Sequence, residues 1–173
     1  KVAESNIPVL ITGESGTGKE LIANAIHNFS NRSAGQFIEL NCSAVSQKQL
    51  ELELFGYEKT GMQGVWNEKK GKLEQANNGT IFLDEISGID VENQGRLLRV
   101  LQENEFFRVD GNEPIKLNVR IIASTTKDIE EMISEGSFRE DLYHRLRVVE
   151  TEVPPLRERK DDIPFLVDYF IKR

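Results

Sequence analysis

A short apolar run, Pro8-Val9-Leu10-Ile11, leads through Thr12 into Gly13-Glu14-Ser15-Gly16-Thr17-Gly18-Lys19, and helical periodicity begins at Glu20. No other feature narrows the possible folds as far. Gly13, Gly16 and Gly18 let the backbone turn its N–H groups inward around an anion, and the N-terminus of the following helix adds positive potential. Lys19 is placed to reach the β and γ phosphates of a nucleotide. A plain glycine-rich turn ahead of a helix is the competing reading, but strand, spacing and lysine together select a P-loop, with Gly13 to Glu20 as the nucleotide-binding stretch. The position after the lysine, where Ser or Thr commonly holds Mg²⁺, is Glu20. Magnesium must then rely on phosphate oxygens, water and an acidic residue elsewhere in the chain.

Short apolar runs alternate with helix-like stretches along the rest of the sequence. Strands are expected at Phe37–Leu40, Ile81–Leu83, Val119–Ala123 and Val148–Val153, the last stopped by Pro154-Pro155. Helices are expected at Glu20–Phe29, Val45–Phe55, Val91–Gln102, Ile129–Ser134 and Glu140–Leu146. In the first of these, Leu21, Ile22, Ala25, Ile26 and Phe29 form the apolar side. A last helix carries Phe165, Leu166, Tyr169 and Phe170, with Asp161-Asp162 as its cap. Apolar strands alternating with helices predict an α/β fold with a central parallel sheet covered on both faces. Ligands in such folds sit at the carboxyl ends of the strands.

Composition sets further bounds. The 173 residues are enough for one domain with a core of its own. The net charge of −7 repels phosphate backbones, so DNA contact is expected only through a separate domain. No apolar run approaches the ~20 residues of a membrane-spanning helix. No signal-peptide pattern opens the chain, and one cysteine, Cys42, forms no internal disulfide; both fit a cytoplasmic location. Two distant histidines, His27 and His144, argue against a zinc site.

The strand Thr80-Ile81-Phe82-Leu83 ends in Asp84-Glu85. Downstream of a P-loop, such a pair divides its labour: Asp84 orients Mg²⁺ through water, and Glu85 polarises an attacking water as general base. Asn41, after the second strand, can hold Glu85 and respond to the γ-phosphate, or can simply form a turn. Ser124-Thr125-Thr126 can hydrogen-bond the hydrolytic water, or likewise form a turn. Arg139 and Arg145 lie six positions apart. They can pair with Glu135 and Asp141 in their own chain, or reach the γ-phosphate of a neighbouring subunit as arginine fingers. Cys42 reads as a small buried apolar residue and His144 as a surface or packing residue.

The stretches GESGTGKE (Gly13–Glu20), LFGYEK (Leu54–Lys59), GTIFLDEI (Gly79–Ile86), LLRVLQE (Leu97–Glu103), FREDLYHRL (Phe138–Leu146) and VPPLRER (Val153–Arg159) run in one order over nearly the whole chain. Together they resemble the AAA+ domain of bacterial enhancer-binding proteins, the NtrC-like sigma-54-dependent transcriptional activators. In that family a Glu follows the P-loop lysine. The resemblance implies a three-layer P-loop NTPase core over residues 1–173, with the family's helical lid and its second sensor arginine outside it. It implies ATP and Mg²⁺ as cofactors and Lys19 on phosphate. Asp84 and Glu85 become the Walker B pair, Asn41 a switch asparagine acting through Glu85, and Thr125 the first sensor. Arg139 and Arg145 would act in trans across a ring interface, such proteins working as hexamers that remodel a closed promoter complex.

Two positions depart from the family pattern. Thr126 stands where the first sensor has Asn. The family's sigma-contacting loop, Gly-Ala-Phe-Thr-Gly-Ala, aligns with Thr60-Gly61-Met62-Gln63-Gly64-Val65, so Met62 and Gln63 replace the aromatic ring and the small hydroxyl. The resemblance implies an ATPase that remodels the sigma-54 polymerase through this loop. The alternative is a regulator that binds ATP and oligomerises without engaging that sigma factor, and the altered loop is expected to engage it weakly or not at all.

Overall fold

The structure, a computed structural model, describes residues 2–60 and 66–171. Strand β1 (Val9–Thr12) passes through the glycine loop into α1 (Lys19–Asn28), then β2 (Phe37–Asn41) and α2 (Gln47–Phe55). The hairpin β3 (Gly56–Thr60) and β4 (Trp66–Lys70) follows, then α3 (Lys72–Gln75), β5 (Thr80–Asp84) and α4 (Val91–Glu103). A second hairpin, β6 (Glu105–Phe107) and β7 (Pro114–Lys116), precedes β8 (Arg120–Thr125), α5 (Ile129–Ser134), α6 (Glu140–Leu146), β9 (Val149–Glu152) and α7 (Ile163–Ile171).

Five strands form one sheet in the order β2-β5-β8-β1-β9, every neighbouring pair parallel. The predicted α/β class and parallel sheet are therefore observed. Register decides what meets at the carboxyl edge: Asn41 lies opposite Asp84, and Thr12 opposite Thr125. β2 lies three places from β1, beyond β8 and β5, so the chain leaves β1 in one direction and later returns to β9 on its other side. Open parallel sheets bind ligands at such a reversal.

Strand alternation divides the core between the two faces. Val9, Ile11, Phe82 and Ile122 pack with Ala23 of α1 and Val153. Leu10, Leu40, Ile81, Leu83 and Ile121 pack on the other face with Leu50, Leu54, Leu97, Leu142 and their neighbours. Burying a side chain the size of Phe82, which is fully enclosed, contributes about 1.5–3 kcal/mol. Truncating it to Ala costs about 3–5 kcal/mol, because a cavity remains.

Helix α1 is where the periodicity misled. Leu21 and Phe29 are 70% and 78% exposed, and Ala25 also faces outward. The inward stripe is Lys19, Ala23, His27 and Ser30, with Ile22 and Ile26 at its margins. Two polar anchors set this phase. Lys19 must turn into the glycine loop, and the His27 Nδ1 lies 2.9 Å from the Thr80 hydroxyl on β5. The helix is rotated accordingly, and apolar residues on its flank are left in solvent.

Both hairpins were missed from sequence. Their strands are short and rich in charge, so they carry no apolar alternation. They are joined to each other instead: Glu58 N–H donates to the Val109 carbonyl at 2.9 Å, and Val109 N–H to the Gly56 carbonyl at 3.0 Å. The Arg108 guanidinium, 10% exposed, spans the joint with bonds to Glu58 (2.7 Å), Glu68 (3.0 Å) and Glu74 (2.9 Å). Gly56 has φ 72°, and a Cβ there would stand 2.2 Å from the Lys69 carbonyl oxygen, so the first hairpin can begin only at glycine. Of the loop Thr60–Val65, residues 61–65, including Met62 and Gln63, lie outside the described residues. The expected last helix is present from Ile163, after a 3₁₀ turn at Lys160–Asp162, with Phe165 exposed.

Candidate active site

The glycine loop closes on itself before α1. Gly13, Gly16 and Gly18 have φ of 147°, 77° and 93°, conformations that L-residues with side chains avoid. At Gly13 a Cβ would also meet the Val153 carbonyl oxygen at 2.6 Å. The Thr17 hydroxyl donates to the Glu14 carbonyl at 2.9 Å, which tightens the turn. Lys19 opens α1 and is 7% exposed. Its ammonium donates to the carbonyls of Gly13 (2.9 Å) and Glu14 (3.1 Å) and lies 3.7 Å from Glu85 Oε1. The cation is thus held inside the loop, with the second carboxylate of the acidic pair as its neighbour. Ser15 and Gly16 form the exposed crest, and Glu20 points outward from the first turn of α1.

Two arginines that carried no predicted role brace this loop from behind. Arg157 grips the Glu14 carboxylate with both terminal nitrogens, at 2.8 and 2.5 Å. Those bonds hold the Glu14 carboxyl below its ordinary pKa. Arg159 Nη2 donates to the Thr17 carbonyl at 2.6 Å. Both belong to the stretch VPPLRER, so the sequence contained the residues but not their target, which is 142 or more positions away.

The acidic pair is held by a ring of small polar side chains. Asp84 ends β5; its Oδ2 accepts from Asn41 Nδ2 at 3.1 Å, and its Oδ1 accepts from the buried Ser124 hydroxyl. Ser124 Oγ in turn accepts the Glu85 N–H at 3.2 Å. Glu85 is left-handed, φ 54° and ψ 56°, a conformation that costs a non-glycine residue about 1–2 kcal/mol. Its Oε2 accepts from the Thr126 N–H at 3.1 Å and the Thr126 hydroxyl at 2.9 Å. Strain at Glu85 is therefore offset by three bonds from the end of β8.

This geometry reassigns three expectations. Asn41 is bonded to Asp84 rather than to Glu85. The Thr125 hydroxyl is buried and turned to Lys127, whose carbonyl it meets at 3.2 Å and whose N–H it accepts at 3.0 Å. Thr126, where the family pattern has Asn, is the residue that grips Glu85. A threonine can do so because its N–H and hydroxyl converge on one carboxylate oxygen.

The arginines separate. Arg139 occupies the N-cap position of α6 without capping it by its side chain, whose Nε and Nη2 bind Asp141 at 3.0 and 2.7 Å, not Glu135. The same bonds hold Asp141 below its ordinary pKa. The Arg145 side chain is exposed and makes no ion pair or hydrogen bond among the described residues, its expected partner Asp141 being taken. His144 is exposed beside Glu140, as a surface residue. Cys42 is fully buried, and desolvation with the nearby Asp84 and Glu85 carboxylates pushes its thiol far above the ordinary value.

The donor set fits magnesium. Among the described residues, no three carboxylate, histidine or cysteine side chains gather to form a complete metal cage. Mg²⁺ commonly takes only one or two carboxylates and completes its shell with water and substrate phosphates. Asp84, oriented by Asn41 and Ser124 at the strand end, is such a carboxylate. Glu39, exposed on β2, is raised above its ordinary pKa by partial desolvation and by the charges of Glu20 and Asp84, which marks this corner as negative. A cavity of about 460 Å³ lies on the other flank of the loop, walled by Glu14, Glu130, Glu150, Glu152 and Glu158. Lys127 and Arg147 share this wall, and the carboxylates are largely paired within the chain, Glu130 and Glu150 with Arg147 and Glu14 with Arg157.

Comparison with known proteins agrees with this arrangement. The sigma-54 interaction domain family matches residues 1–152. The DNA-binding transcriptional regulator NtrC of Proteus hauseri is 51% identical over 173 residues, all of this chain and 37% of that protein. The Nif-specific regulatory protein of Azotobacter vinelandii is 53% identical over 171 residues, covering 99% of this chain and 33% of that protein. Crystal structures of NtrX from Brucella abortus with ADP and with ATP superpose with TM-scores of 0.91 and 0.90 at 46% identity, covering 99% of this chain and 37% of theirs. The P-loop NTPase domain of an E. coli sigma-54 transport activator shares the fold at TM-score 0.59 and 19% identity, covering 89% of this chain and 87% of its own. The chain spans about a third of the length of the curated relatives it matches. On its P-loop fold, its acidic pair and these likenesses, the chain belongs to the sigma-54 interaction domain family, the AAA+ core of NtrC-like transcriptional activators.

Proposed function

We propose that this domain binds ATP with Mg²⁺ and hydrolyses it within a ring of its own copies, the work being used to remodel the sigma-54 RNA polymerase. One observation carries the reading: Lys19 of the P-loop and Glu85 of the acidic pair, 66 positions apart in the chain, stand 3.7 Å apart beside the glycine loop. A cation for the phosphates and a base for water thus share one small site. The NtrX structures solved with ADP and with ATP support nucleotide binding.

In this scheme the loop N–H groups bind the β-phosphate, and Lys19 exchanges its carbonyl partners for phosphate oxygens. Asp84 would hold Mg²⁺, which would supply charge neutralisation for the phosphates when bound. Glu85 removes a proton from the attacking water, and Thr126 holds its carboxylate in line. Asn41 reports on Asp84 rather than directly on Glu85, so the switch role passes through the hydrogen-bonded chain Asn41–Asp84–Ser124–Glu85. Arg139 and Arg145 complete a neighbouring subunit's site, where such a donor is worth ~10³–10⁵ in rate. The domain reading, an α/β core whose lid lies outside residues 1–173, and a cytoplasmic location belong to the same proposal. No helix among the described residues is long and apolar enough to cross a membrane.

The test uses the complete protein that carries this domain. Lys19→Ala should weaken ATP binding, because it removes the main cation facing the phosphates. Glu85→Gln should bind ATP and lose turnover by ~10²–10⁴. Hydrolysis by Glu85→Gln at the parental rate would remove Glu85 as the base and the scheme with it.

Met62 and Gln63 favour a second reading, in which the ATPase is retained without sigma-54 engagement. An aromatic anchor in a desolvated interface is worth about 2 kcal/mol or more, and Met replaces only part of that contact. Sigma-54 binding should be measured with the protein trapped on a transition-state nucleotide analogue, for the native loop and for Met62→Phe with Gln63→Thr. Strong binding by the native loop supports remodelling; binding gained only by the double variant supports the second reading.

A further inference from the structure

Gln94 lies in the first turns of α4 and is fully buried. Its Nε2 donates to the Ile89 carbonyl at 2.8 Å and to the Ser137 carbonyl at 3.0 Å, and its Oε1 accepts the Arg139 N–H at 2.8 Å. All three partners are backbone groups, and they belong to two distant parts of the chain. Ile89 ends the 3₁₀ turn that leaves Glu85; Ser137 and Arg139 lie just ahead of α6. One amide plane therefore joins the segment leaving the acidic pair to the residue that carries the first candidate trans arginine.

A polar side chain in a core is costly unless every group is satisfied, and an apolar residue of similar size would pack there without that demand. Primary amides are the uncharged side chains that offer two donors and an acceptor in one plane. The floor under the arginine comes from the same helix: a Cβ at Gly95, the next residue, would stand 3.8 Å from Arg139 Nη1. α4 thus sets both the backbone position of Arg139 and the surface over which its side chain runs.

We propose that Gln94 is a positioning residue for Arg139, fixing the arginine offered to a neighbour's nucleotide relative to the subunit's own acidic pair. The inference rests on the ring ATPase reading and assigns to it a residue that touches neither nucleotide. A purely structural tie would lower stability alone; a positioning role predicts a defect that lies in the neighbour's site.

The complete protein should be made as Gln94→Met, which keeps an unbranched side chain of similar length and removes all three bonds. ATP affinity should stay within about twofold, while kcat falls roughly a hundredfold, as expected for an ångström-scale misplacement. Gln94→Met should then be mixed with Glu85→Gln subunits, with Arg139→Ala mixed in the same way as control. In mixed rings the intact arginine of the Glu85→Gln subunit faces the intact base of the Gln94→Met subunit, so activity should return in both mixtures. Rescue of Arg139→Ala without rescue of Gln94→Met overturns the inference and leaves the ring reading standing. Failure of both rescues in rings shown to be mixed removes the ring reading and the inference together. A second measurement needs no variant: in the parent protein the Arg139 amide should exchange hydrogen as slowly as the core amides of α4. Exchange at the rate of an open loop would also overturn the proposal, whether or not Gln94→Met folds.

Discussion

Ser124→Ala isolates the way the end of β8 supports the acidic pair. The side chain is fully buried. Its hydroxyl donates to the Asp84 carboxylate and accepts the Glu85 N–H. A hydrogen bond to a charged group contributes about 1.5–3 kcal/mol and a neutral one about 0.5–1.5 kcal/mol. Asp84 is half-buried, so water can replace part of the first bond, whereas the Glu85 N–H loses its hydroxyl acceptor. The expected loss is about 2–3 kcal/mol, or roughly 4–12 °C in Tm for a domain of this size. Urea unfolding followed by far-UV circular dichroism should show a lower midpoint with an unchanged slope, because the surface exposed on unfolding is the same. The strained φ of Glu85 has a second consequence. Without Ser124 the residue can relax from the left-handed region, so ATP turnover should fall further than ATP binding. A loss below about 0.5 kcal/mol with parental turnover would refute the reasoning, since neither bond would then matter in water.

Other perturbations test separate parts of the molecule. Burial holds the His27 imidazole below its ordinary pKa; the unfolded chain therefore takes up the proton first. Its contribution to stability is complete above about pH 6.5 and is lost as pH falls through the folded-state value, so urea midpoints should decline below that pH, and less steeply in His27→Gln. Arg108→Met leaves Glu58 and Glu74 facing each other without their cation, and calorimetry should register a loss of about 3 kcal/mol, at the low end for breaking a buried pair because Glu68 is largely exposed. Cys42 should resist thiol reagents in the folded protein and react once urea exposes it; rapid labelling of the native state would contradict its burial.

Much of this molecule was legible in the order of its residues. The P-loop, the five parallel strands and the acidic pair all follow from local rules: glycines where the backbone must turn, apolar runs where strands are covered on both faces, carboxylates where a strand ends. Such rules act over a few residues, and they hold without knowledge of what packs against them. The hairpins were not legible, since Arg108 and backbone bonds between segments take the place of an apolar pattern. Nor was the phase of α1, because Lys19 and His27 turned it through contacts made in space. The division of hydroxyls at the end of β8 is the clearest case. Ser124, Thr125 and Thr126 are adjacent and chemically alike, yet one holds Asp84, one faces Lys127 and one holds Glu85. Strand alternation sends neighbouring side chains to opposite faces, and the register of β8 against β5 then selects which hydroxyl meets which carboxylate. Sequence established which chemical groups are present at the sheet's edge; the pairing of strands far apart in the chain decided which of them touch.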